Sequence, residues 1–168
     1  VMLITLMLTS MAVVREKEIG TMEQIMVTPI TPVEFILGKS VPFALIGFAD
    51  VIVITLIAVF WFDVPIRGNL PLLFAATALY LMTTLGVGLL ISTVSQTQQQ
   101  AMMSTFFFYF PAVLLSGFMF PIANMPEVIQ WITYVNPLRY FLVIIRGIFL
   151  KGIGLGILWP QMIALAIM

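Results

Sequence analysis

The residues able to do chemistry are few, and most of them fall together. Arg15, Glu16, Lys17, Glu18, Glu23 and Glu34 hold six of the fourteen charges in the chain, and apolar segments flank them on both sides. Gly20, Thr21 and Met22 sit among them. A charged, partly helical block between two apolar segments suits the surface of a membrane, where it can meet a soluble partner. Asp50 stands alone inside a long apolar run. The chain has no histidine and no cysteine. HExxH zinc sites, Ser–His–Asp triads, thiolate chemistry and a disulfide framework are therefore all excluded.

These side chains must be positioned by an apolar scaffold. The chain is 62% hydrophobic and 8% charged, with a mean hydropathy of +1.18. A soluble domain carries roughly 25% charged residues, so this chain belongs in lipid. Zero net charge gives no case for binding nucleic acid.

Residues 1–14 read as the C-terminal half of a spanning helix, because fourteen residues reach only about 21 Å against a hydrocarbon core of roughly 30 Å. Residues 15–38 form the surface block. Residues 39–62 form a complete span, residues 63–69 a polar turn, and residues 70–94 a second span. Residues 95–100 form an uncharged polar loop, and residues 101–120 a third span. A further span opens at Ile157. No ten-residue alternation suited to a barrel occurs, so an all-α, polytopic membrane protein is expected. Both ends stop inside apolar runs, and the whole of 1–168 reads as one transmembrane domain cut from a longer protein. Gly86, Gly88 and Ser92 would permit close helix approach, or be ordinary membrane residues.

Within the block, Ile19, Met22, Ile25 and Met26 share one face of a short helix ending near Thr28-Pro29. Thr31-Pro32-Val33-Glu34 has the form of a capping box that opens the next helix. Interfacial helices that only lie on headgroups are usually rich in Lys and Arg. The acids Glu16, Glu18 and Glu23 favour a protein partner, with the headgroup reading left open.

Residues 121–156 fit neither a loop nor a simple span. Asn124 and Glu127 could start one short helix, and Asn136-Pro137 another. Two short helices at membrane depth fit a re-entrant element; a surface hairpin is the alternative. Trp131, Tyr134 and Tyr140 suit a headgroup layer. Asp50 lies about 16 Å along its helix from Lys39, near the bilayer middle. It is a possible intramembrane polar site, lining a path or binding a cation, or else a protonated, hydrogen-bonded structural group.

Three stretches then match a known family in order and spacing. Arg-Glu-Lys-Glu-x-Gly-Thr-Met-Glu-Gln with Thr-Pro-Ile-Thr-Pro-x-Glu resembles the cytoplasmic coupling segment of ABC-2 type transporter permeases. Ser95-Gln96-Thr97-Gln98-Gln99-Gln100 resembles the polar loop before the family's fifth helix. Leu115 to Ile122 with Gly117 and Pro121, Asn124-Met125-Pro126, and Asn136-Pro137-Leu138-Arg139 resemble its re-entrant region.

The resemblance implies a fragment running from late helix 2 to early helix 6. It implies a bacterial cytoplasmic (inner) membrane location, with residues 15–39 and 95–100 in the cytoplasm, a point the positive charges alone do not decide. It implies a permease that binds no cofactor itself, with ATP and Mg on a separate ABC ATPase subunit docked on the coupling helix. A second permease, identical or a close paralogue, would complete the path. No GxxxxGK[ST] occurs in the chain, in keeping with that division of labour. An ion-coupled transporter or channel is the alternative. It would usually carry several intramembrane acids or repeated broken helices; only Asp50 qualifies.

Overall fold

The computed structural model describes residues 1–168, with helices and no strands. The order is α1 (Met2–Ile19), α2 (Met22–Val27), α3 (Pro32–Phe60), α4 (Leu70–Val94) and α5 (Gln98–Leu114), then α6 (Glu127–Thr133), α7 (Pro137–Arg146) and α8 (Leu155–Ile167). A 3-10 turn, Ile122–Asn124, precedes α6, and a π turn, Gly147–Lys151, continues α7. The chain clusters into two compact units, residues 1–49 with 84–109 and residues 50–83 with 110–168.

Two helices, α3 and α4, are long and apolar enough to cross a membrane; the bent pair of α6 with α7 and its π turn would make a third. On α3, Leu45, Val53, Leu56 and Phe60 are exposed. Water would not tolerate that surface, but lipid tails solvate it as well as a protein core does.

The expected second span coincides with α4. The expected third span does not hold as drawn. Its helix, α5, starts at Gln98 and ends at Leu114, 17 residues in all, or about 25 Å. The chain turns at Gly117, whose φ is +81°. That left-handed conformation is cheap for glycine, and the helix cannot run on to Phe120 through it. The single surface helix is also corrected. Gly20 adopts φ +82° and caps α1 through its N–H on the Lys17 carbonyl. Ile19 therefore belongs to α1, while Met22, Ile25 and Met26 belong to α2.

In the first unit α1 packs on α4 and α5. A Cβ added to Gly88 would lie 2.7 Å from the Thr9 Cβ, so only glycine permits this approach. One turn on, the Ser92 hydroxyl accepts from the backbone N–H of Val13 at 3.0 Å and Val14 at 2.9 Å. Thr105 of α5 donates to the Ser10 hydroxyl at 2.9 Å. A Cβ added to Gly86 would meet nothing within 4 Å, so the approach does not require that glycine.

In the second unit, Tyr80 of α4 stacks on Phe141 of α7 with ring centroids 4.1 Å apart, and Thr83 reaches the Leu165 carbonyl of α8 at 3.3 Å. A bend of 82° separates α6 from α7 with its π turn.

Candidate functional site

The last turn of α1 carries the charged block, and three of its side chains leave it in different directions. Glu16 pairs with Lys39 of α3, with Oε1 and Nζ 2.5 Å apart. The other Glu16 oxygen accepts from the Thr21 hydroxyl, just before α2. The Lys39 ammonium and the Thr21 hydroxyl hold the Glu16 carboxyl below its ordinary value, against a smaller opposing effect of burial. Lys17 Nζ donates to the Thr93 carbonyl, in the last turn of α4, at 2.6 Å. Glu18 accepts from the Gln98 backbone N–H at 3.1 Å and from its side-chain amide at 2.9 Å, at the first residue of α5.

Local chemistry explains why helices end where these side chains arrive. Thr97 caps α5, its hydroxyl accepting from the Gln100 N–H at 3.2 Å. That leaves the Gln98 N–H for Glu18, an anion at the positive end of a helix. Lys17 meets the opposite end of α4, where carbonyls lack helical partners. The capping box opening α3 forms as expected. The Glu34 carboxylate accepts from the Thr31 N–H and hydroxyl, each at 2.9 Å, and the Glu34 N–H donates to Thr31 Oγ1 at 3.3 Å.

Beyond this turn α2 rests on α1 by one side, with Met22 and Ile25 half-buried, and exposes the other. Arg15 and Glu23 are exposed, and so are the apolar Ile19, Met26 and Val27, at 61%, 70% and 87%. Residues expected at a docking surface thus fall in two groups. Glu16, Glu18 and Thr21 have polar contacts inside the chain; Arg15, Glu23, Met26 and Val27 face outward, with Met22 and Ile25 half-buried. The sequence marks Gln98 only as part of the polar loop 95–100, with no partner indicated, and gives no signal at Thr93. Thr97-x-x-Gln100 marks a helix start, but nothing local says that Glu18 would come to it.

Of the expected re-entrant residues, Asn136, Pro137 and Arg139 lie at a second joint, between α6 and α7. Asn136 is buried. Its side-chain oxygen accepts from the Leu138 N–H at 3.1 Å, capping α7, with Pro137 in the first turn. Its amide donates to the Ala112 carbonyl near the end of α5 at 2.6 Å. Arg139 donates to the Thr133 hydroxyl at 2.5 Å, and its guanidinium lies 4.2 Å from the Tyr134 ring centre. The bend between α6 and α7 is held by these contacts.

Asn124 is a correction. It closes the 3-10 turn that Pro121 leads into, and Pro126 occupies the cap position of α6. The proline at 126 fixes an extended entry that suits a helix start, leaving no capping role two residues earlier. Trp131 and Tyr134 are exposed, as interfacial aromatics can be.

Asp50 lies within α3 and is half-buried. No group of three or more acidic, histidine or cysteine side chains comes together to hold a metal ion.

An all-helical membrane protein with a charged, outward-projecting joint between two of its helices is thus defined. Residues 1–150 match the family described as ABC-2 type transporter. The chain is 37% identical over 157 residues to "Probable multidrug ABC transporter permease YbhR" of Escherichia coli, covering 94% of this chain and 43% of that protein. It is 42% identical over 146 residues to "Probable multidrug ABC transporter permease YbhS", covering 86% and 39%. "Inner membrane transport permease YhhJ" is 30% identical over 168 residues, covering 97% and 44%. No solved structure matches the chain significantly. The chain belongs to the ABC-2 type transporter family. It spans less than half the length of the curated relatives it matches.

Proposed function

We propose that this chain is the membrane-spanning part of a permease in an ATP-driven exporter, with ATP and Mg bound by a separate nucleotide-binding subunit. That subunit docks on α2 and the exposed side chains around it: Arg15, Ile19, Glu23, Met26 and Val27. The observation that carries the reading is the exposed apolar side of α2. A six-residue helix with Met26 and Val27 exposed beside Arg15 and Glu23 is costly to leave in water and suited to a partner's groove. The mix of charge signs favours a protein over an anionic bilayer.

In this reading residues 15–39 and 95–100 face the cytoplasm of a bacterial inner membrane. Two permeases, identical or closely related, enclose the path. The region 117–139, with Gly117, Pro121, Asn124, Pro126, Asn136, Pro137 and Arg139, is the re-entrant element on the far side. The names of YbhR and YbhS suggest drugs as the cargo class. Asp50 serves as a structural group within α3.

The test uses the full-length permease expressed with its candidate nucleotide-binding subunit. The two should co-purify, and the permease alone should hydrolyse no ATP. Val27→Asp combined with Glu23→Lys should abolish co-purification while membrane insertion persists. Hydrolysis by the isolated permease, or assembly unaffected by these changes, overturns the proposal.

A further inference from the structure

The Lys17–Glu18 pair contacts two helix ends of opposite polarity. α4 ends at Val94 and α5 begins at Gln98. The carbonyl end of a helix carries partial negative charge, and the amide end partial positive charge. Lys17 sits on the first at Thr93, and Glu18 on the second at Gln98. The order of charges along α1 thus matches the order of helix ends across the turn. On the same turn of α1, Glu16 holds Lys39 of α3 and Thr21 at the start of α2. One helical turn is therefore bonded to α3, α4 and α5, and to the residue that launches α2.

We propose that Lys17 and Glu18 are positioning residues that clamp the α4–α5 turn to the base of α2. This rests on the docking role of α2 given above. Movement imposed on α2 by the partner is passed, through Gly20-Thr21 and this turn of α1, to the ends of α4 and α5. The side chains act inside the permease and are not contacts to the ATPase. The clamp is polar in the strict sense. A cation fits only the α4 end and an anion only the α5 end, so exchanging the two charges breaks both contacts while leaving the net charge unchanged.

The experiment uses the full-length permease with its nucleotide-binding subunit in nanodiscs. Cysteines outside residues 1–168 are replaced, and nitroxide labels are placed at Gln24→Cys and Gln99→Cys, both exposed positions outside the docking contacts and the clamp. In the otherwise wild-type complex, the label distance should stay the same between the nucleotide-free and ATP-vanadate states, because the two sites move as one piece. In Lys17→Glu/Glu18→Lys the distance distribution should broaden and differ between the states. Stimulation of ATP hydrolysis by the permease should fall about tenfold, a typical size for coupling between sites, with co-purification retained. Lys17→Arg and Glu18→Gln, which keep a donor and an acceptor, should retain the fixed distance and guard against a folding artefact.

A charge-exchanged complex with wild-type distance behaviour and hydrolysis overturns the clamp. Loss of co-purification in that variant also overturns it, since the pair would then be docking contacts. Failure of the wild-type subunits to assemble counts instead against the docking role of α2.

Discussion

Gly88→Ala should separate α1 from α4. The new methyl would stand 2.7 Å from Thr9 Cβ and 3.1 Å from Thr9 Cγ2. Carbon atoms rest about 3.5–4.0 Å apart, so the helices must part by about 1 Å. Ser92 lies one turn away on the same face, holding the Val13 and Val14 N–H groups at 3.0 and 2.9 Å. A further ångström takes both beyond hydrogen-bond range. Overpacking costs about 1–3 kcal/mol, and each interhelical hydrogen bond in a membrane about 0.6 kcal/mol. The expected loss is therefore about 2–4 kcal/mol.

Denaturant titration of the full-length permease in micelles, followed by tryptophan fluorescence, reads this directly. Gly86→Ala is the control, since a methyl there meets nothing; it should change stability by less than ~0.5 kcal/mol. Thr9→Gly removes the clashing carbon, so in the Gly88→Ala background it should recover part of the loss, visible as coupling in a double-mutant cycle. If Gly88→Ala is as stable as wild type, or shows no coupling to Thr9→Gly, the close approach does not exist as described.

The second joint has a graded test in the same titration. Asn136→Ala removes the α7 cap, worth about 1 kcal/mol, and leaves the Ala112 carbonyl without its donor, a further 1–3 kcal/mol or so. Asn136→Ser keeps a capping oxygen and loses the amide donor, so it should fall between Ala and wild type; equal stability of all three would refute the dual role. Glu16 predicts a pH dependence. Its carboxyl is held down in the folded state, so its contribution is complete above the unfolded value of about 4.3 and disappears as pH falls through the folded value. The stability gap between wild type and Glu16→Gln should close on acidification below about pH 4; a gap constant from neutral pH to about pH 3 would show that the Lys39 pair does not act in this way.

The class of protein was legible because desolvation depends on composition. A chain with so few charges cannot cover itself in water, whatever its fold. The bounds of α4 were legible because polar turns flank its apolar run, and the Thr31–Glu34 capping box and the Asn136-Pro137 start because capping operates within three residues. The early end of α5 and the break at Gly20 turned on single glycines. Their permissive backbone was visible in the sequence, but whether they would use it was not. Asn124 failed because Pro126, two residues on, takes the cap position.

Other outcomes had no local signal at all. Gly86 and Gly88 look alike in the sequence, yet only Gly88 faces Thr9, since that depends on which side of α4 receives α1. Glu16, Lys17 and Glu18 read as a surface for a partner, but their contacts lie 23, 76 and 80 residues away. The sequence alone determined that these charges would not be left unpaired in lipid, because that costs too much. Only the tertiary structure decided what they hold. A charge finds its partner by distance in space, and which helix ends lie within reach of α1 is set by the packing of Gly88, Ser92 and Thr105 against it.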